Sequence, residues 1–136
     1  MKIVLDTNVL LASLRRGGKL RPIFDAIRQG TVSLAVTTEI LLEYEEIIGK
    51  RINRHVAANV MGLLLSLRRS EMMIVYFRFD LLKVDPDDNK FADCAVAAGA
   101  DFIVSNDRHF HALRRVEFPR IKVINADDFI ALLARL

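Results

Sequence analysis

Short unbroken apolar runs alternate along the chain with longer stretches in which apolar residues recur every three or four positions. The runs read as buried strands and the periodic stretches as amphipathic helices. Lys2 to Leu5 is predicted as a strand, with Asp6 at its C-terminal end. Thr7-Asn8 turns the chain into a helix from Val9 to about Arg15, ahead of the flexible pair Gly17-Gly18. Pro22 suits the first turn of a second helix, which Gly30 closes. Val32 to Val36 is the next strand. Thr37 or Thr38 then caps a helix through Ile48, with Gly49 after it. From Asn53 to Leu67 the stripe Val56, Val60, Leu63, Leu64 and Leu67 marks another helix. Met72 to Phe77 reads as a third strand.

The stretch Asp85 to Asp107 organises the rest. Pro86 opens an acidic turn, and Asp87 or Asp88 can cap a helix through Ala98, ended by Gly99. Phe102, Ile103 and Val104 form a strand that delivers Asp107 into the loop beyond it. A short helix near His109 to Leu113 and a strand from Ile121 to Ile124 follow. Asn125 and Asp128 resemble a capping box opening a terminal helix through Leu133. Strands alternating with helices predict an α/β fold, a parallel sheet with helices on both faces. Ligands bind such sheets at the C-terminal edge, where Asp6 and Asp107 are expected.

A length of 136 residues with 52% hydrophobic and 27% charged positions fits one globular domain spanning 1–136, with no repeat or linker. Cys94 is alone and sits among alanines on an expected buried helix face, so no internal disulfide forms. Three scattered histidines do not complete a zinc site. The apolar strand begins directly after Met1, so no signal peptide is expected, and no apolar run is long enough to span a membrane. A cytoplasmic protein is expected. The net charge of +3 and a pI near 9.3 favour a polyanionic partner. Arg15, Arg16, Lys19, Arg108, Arg114 and Arg115 are expected near the active edge, where they can contact phosphates.

Against that positive background, some acids gather at one edge. A carboxylate at the end of a mid-sheet strand is costly unless paired or bound to metal, which singles out Asp6; Asp107 repeats the arrangement. On the helix after Thr38, Ile40, Leu41, Tyr44, Ile47 and Ile48 form the apolar stripe. Glu39 and Glu46 fall opposite it. Glu43 and Glu45 flank it equally, so periodicity leaves both as candidates. In the acidic turn Asp85, Asp87 and Asp88 compete, and Asp93 lies further along the same helix. Asn8 and Ser105 can orient carboxylates by hydrogen bonds. Three or four carboxylates without clustered His or Cys suit Mg²⁺ or Mn²⁺. Local acid within a basic protein is the pattern of a metal-dependent nuclease.

The blocks IVLDTNVLLASL, VTTEILLEYEEII and DPDDNKFADCAVAAGADFIVSNDRHF resemble the PIN domain, and more narrowly its toxin (VapC-like) subgroup from type II toxin–antitoxin systems. The resemblance implies a PIN-like three-layer α/β/α fold with four to five parallel strands. It implies a metal-dependent ribonuclease that leaves 5′-phosphate and 3′-hydroxyl ends. It assigns catalysis and Mg²⁺ or Mn²⁺ binding to Asp6, Glu43, Asp88 and Asp107, resolving the choice between Glu43 and Glu45. Asn8 and Ser105 match supporting positions, with Ser105 in place of the commoner Thr and Asn106 where Gly is frequent. Asp93 has no fixed counterpart, and Asp85 reads as a turn former. The resemblance further implies an RNA substrate, a cognate antitoxin and a homodimer. The alternative is a non-catalytic PIN-like module that binds RNA or protein. A response-regulator receiver would need an acidic pair where Asp6 stands alone, and a haloacid-dehalogenase-like phosphatase would need Asp where Asn8 stands.

Overall fold

The computed structural model describes residues 1–67, 71–72, 81–82, 86–117 and 119–136. Five strands, β1 (Lys2–Leu5), β2 (Ser33–Val36), β3 (Glu71–Met72), β4 (Phe102–Val104) and β5 (Val123–Ile124), form a sheet in the order β3-β2-β1-β4-β5. Every pairing is parallel. The helices are α1 (Thr7–Ser13), α2 (Arg21–Arg28), α3 (Thr38–Arg51), α4 (Arg54–Ser66), α5 (Asn89–Ala98), α6 (Arg108–His111) and α7 (Ala126–Leu133). None of them is long and apolar enough to cross a membrane.

β1, at the centre, is wholly buried from Ile3 to Leu5 and aligned with β4 as Ile3↔Phe102, Val4↔Ile103 and Leu5↔Val104. The chain works outward from β1 through β2 to β3, then returns to β1's other side for β4. Right-handed crossovers in opposite directions put helices on both faces, giving the α/β/α layers. The reversal also opens a crevice between the C-terminal ends of β1 and β4. α5 runs antiparallel to the strands: Lys2 Nζ donates to Ala98 O at 2.9 Å, which ties the end of α5 to the start of β1. The beginning of α5 therefore lies at the sheet's C-terminal edge.

Local chemistry sets several helix starts. Thr37 Oγ1 accepts from Ile40 N at 3.2 Å, and Asn53 Oδ1 accepts from Val56 N at 2.8 Å. Asn125 and Asp128 form the expected capping pair, with Asp128 N donating to Asn125 Oδ1 at 2.8 Å. Gly99 ends α5 at φ +61°, in the left-handed region that favours glycine.

Three local expectations change. Gly49 does not end α3, which continues through Arg51. One helical glycine costs only about 1 kcal/mol, and α3 packs against α4. The acidic turn is a 3-10 turn, Pro86–Asp88, wound straight into α5. Asp88 has helical backbone angles and makes no side-chain cap, which needs an extended backbone. Gly17-Gly18 is a closed turn, with Gly18 N donating to Arg15 O at 3.1 Å and Gly17 at φ +71°. The strand expected over Met72 to Phe77 is described only as Glu71–Met72, its remainder lying outside the described residues, as does Asp85.

Candidate active site

The crevice at the β1–β4 switch holds three of the four expected acids. Asp6 continues β1 by one step, its N–H donating to Val104 O at 3.1 Å, and is only 6% exposed. Its Oδ2 accepts from the buried Ser105 Oγ at 2.8 Å. That same Ser105 oxygen accepts from Asp107 N at 3.0 Å, so one hydroxyl couples the two strand-end acids. Asp107 Oδ1 takes the His109 N–H at 2.9 Å, capping α6. Asp6, Asn8, Asn106 and Asp107 line a cleft of about 320 Å³ at this edge.

Glu43 reaches the same place from α3. Its Oε2 accepts from Thr7 Oγ1, and its Oε1 pairs with Lys90 Nζ at 2.9 Å. Glu45 is exposed, on a groove between α3 and α4 lined also by Glu46, Lys50 and Arg54. Tyr44, fully buried between them, donates its hydroxyl to Leu5 O and so fixes α3 against the end of β1. Burial, then Cys94, Asp6 and Glu43, hold the Tyr44 hydroxyl well above the ordinary phenol range, so it stays protonated.

Asp88 enters with α5, half-buried at the same edge, two residues before the lysine that touches Glu43. Asp93 is buried on α5. The Asn8 side chain is exposed, and it is the Asn8 backbone N–H that faces the Asp6 carboxylate. Cys94 is buried too, and desolvation pushes its thiol up to about 12, which makes it inert.

The electrostatics show which kind of ligand the arrangement favours. Burial raises the Asp6 carboxyl above its usual range, Ser105 opposes that rise, and Asp107 and Glu43 reinforce it by repulsion. A carboxylate whose charged form is disfavoured by burial and by neighbouring acids is stabilised by a cation, and an all-oxygen donor set fits Mg²⁺ or Mn²⁺. As placed, no three Asp, Glu, His or Cys side chains among the described residues are close enough to chelate an ion together. Mg²⁺ needs only one or two direct carboxylates and keeps several waters. The residues fit such an ion on those terms.

Thr7, Lys90 and Asn106 are contributors that the sequence reading did not single out. Asn106 Oδ1 accepts from Ala126 N at 2.9 Å, stitching the loop before Asp107 to the start of α7. No local pattern marks these contacts. Arg114, expected near the acids, instead donates to Val123 O at 2.9 Å. It lines a cleft with Phe102, Arg120 and Lys122 at the starts of β4 and β5, the opposite edge of the sheet.

A chain of the VapBC2 complex from Rickettsia felis, solved with a DNA fragment from its promoter, shares the fold. It has a TM-score of 0.63 and 17% identity over 92% of this chain and 98% of that one. The PIN domain of RRP44 from T. brucei matches with a TM-score of 0.53 and 11% identity, over 98% of this chain and 80% of that one. No curated protein sequence matches. The sequence profile of the PIN domain matches residues 2–109, from the first strand through both strand-end acids to the start of α6. The chain belongs to the PIN domain family.

Proposed function

We propose that the chain is an endoribonuclease dependent on Mg²⁺ or Mn²⁺, hydrolysing RNA to 5′-phosphate and 3′-hydroxyl ends. The observation that carries this reading is Asp6: a strand-end carboxylate raised first by its burial and then by Asp107 and Glu43, at the switch point of a PIN fold. Such an arrangement costs stability unless it serves to hold a cation. Asp6, Glu43, Asp88 and Asp107 are the residues that would hold it. Bound there, the ion supplies an activated water and neutralises the leaving oxygen.

The chain's own residues prepare that site. Ser105 fixes the Asp6 carboxylate and, through the Asp107 N–H, its spacing from the second acid. Thr7 orients one oxygen of Glu43, Lys90 neutralises the other in the metal-free protein, and Tyr44 anchors the helix that carries it. Buried Asp93 and the exposed Asn8 side chain are supporting rather than primary. In the context suggested by the VapBC2 likeness, the protein is the toxin of a toxin–antitoxin pair, cytoplasmic, with a cognate antitoxin and a homodimeric form as its protein contacts.

Purified protein with single-stranded RNA tests the reading. Cleavage should require Mg²⁺ or Mn²⁺, stop with EDTA and leave 5′-phosphate ends. RNA that is bound but never cut, under any divalent ion, would favour the non-catalytic module.

A further inference from the structure

Beside the acid cleft lies a second one, of about 520 Å³, and the two share Ala12 and Leu20 as a common wall. Its character is opposite. Arg15, Lys19 and Arg51 line it with positive charge, while Leu11, Leu20 and Ile52 supply an apolar floor. Ile52 is 45% exposed, so part of its apolar side chain is open to a ligand at the corner between α3 and α4. Arg15 and Arg51 have no carboxylate partner among the described residues. Lys19 pairs with Asp127 at 3.1 Å, but both side chains are well exposed, so little holds the pair together.

Two chain segments bring the cations here. The Gly17 turn presents Arg15 and Lys19, and Arg21 Nη1 pins that turn by donating to Leu14 O at 2.7 Å. Arg51 arrives from the last turn of α3, which passes Gly49 to reach it. A groove of acids cannot by itself hold a polyanion; the adjoining cations can. The volume falls within the range of about 300–1,000 Å³ typical of ligand sites.

We propose that this cleft seats the nucleotide next to the scissile phosphate. Arg15, Lys19 and Arg51 hold its backbone phosphate, and Leu11, Leu20 and Ile52 receive the face of its base. The inference rests on the ribonuclease reading above. The basic cleft around Arg114 and Arg120 is not an equal candidate, because it lies at the edge remote from the acids.

The test is binding of a labelled single-stranded oligoribonucleotide by the whole chain in EDTA, followed by fluorescence anisotropy across a salt series. Arg51→Ala should weaken binding and lower the slope of log K against log salt by about 0.7, one phosphate contact on a single strand. Lys19→Ala should do the same. Ile52→Ala should weaken binding with its slope unchanged, and Arg120→Ala should change neither. Wild-type slopes for Arg51→Ala and Lys19→Ala, or an equal loss for Arg120→Ala, would overturn the subsite. So would a wild-type protein with no affinity for the oligonucleotide, including one that uses this cleft only for a protein partner. Cleavage, assayed separately with Mn²⁺, keeps the two readings apart. If wild type cuts and Arg51→Ala binds and cuts as well, the subsite fails and the nuclease stands. If wild type never cuts but Arg51→Ala loses RNA, the ribonuclease reading fails and takes with it the place of this cleft beside a scissile phosphate, leaving an RNA-binding surface.

Discussion

Replacing Lys90 with methionine removes the ammonium paired with Glu43 Oε1 at 2.9 Å while keeping an unbranched stem against the Phe91 ring. At that separation, with an effective dielectric of about 20, the attraction is about 6 kcal/mol before desolvation. The two side chains keep 15% and 28% exposure. They therefore lie between a fully buried pair, whose disruption costs about 3–5 kcal/mol, and an exposed one worth about 0.2–1 kcal/mol. A loss of about 2 kcal/mol without metal follows, a drop of roughly 6–8 °C in Tm for a chain of this size. Lys90 also opposes an incoming cation twice, by its own charge and by occupying a Glu43 oxygen. Without it, Mn²⁺ should bind about tenfold more tightly, equivalent to about 1.4 kcal/mol. Saturating Mn²⁺ should then recover most of the lost stability. Calorimetric melting in EDTA and in Mn²⁺, with titration of Mn²⁺ into the metal-free protein, reads both effects. Unchanged melting together with weaker Mn²⁺ binding would refute the reasoning and make Lys90 a residue that only orients Glu43.

Asp6→Asn should reduce Mg²⁺- or Mn²⁺-dependent cleavage by orders of magnitude while leaving the metal-free protein at least as stable as wild type at neutral pH, because the cost of burying the charge and its repulsion with Asp107 and Glu43 are relieved. Equal cleavage rates would dismiss the metal-nuclease mechanism. The same carboxyl sets a pH signature: its folded pKa is raised above 3.8, so the folded state holds the proton more firmly. Its contribution to metal-free stability is present below that value and lost as pH rises through the folded pKa. Melting of wild type and Asp6→Asn across acid pH should diverge in that window; parallel curves would remove Asp6 as the cause. Ser105→Ala breaks the link between the two strand-end acids and strands the Asp107 N–H, costing about 1–3 kcal/mol. Activity should fall about 10–100-fold, as for other supports of metal ligands, and Ser105→Thr should restore it.

Much of this architecture is written in short-range pattern. β1, the end of α5 at Gly99, and the caps at Thr37 and Asn125 were legible because a helix or strand announces itself within a few residues. Periodicity shows which face is apolar, and a cap needs only a side chain three residues from its N–H. The placement of Asp6 and Asp107 at strand ends follows from the same local signals. Tertiary packing decided what lies further apart. Glu43 and Glu45 flank one stripe equally, and only the seating of Tyr44 on Leu5 O turns Glu43 towards Thr7 and leaves Glu45 in solvent. Lys90 meets Glu43 because α5 runs antiparallel to the sheet, a contact with no local trace. Arg114 sits beside basic neighbours in sequence yet goes to the opposite edge, held by Val123 O. Gly49 reads as a stop, but about 1 kcal/mol of backbone preference yields to packing along α4. Hydrogen-bonding geometry and side-chain period act over one or two turns, and the sequence carries them directly. Which surfaces meet depends on strand order and crossover direction, which emerge only when the whole sheet is assembled.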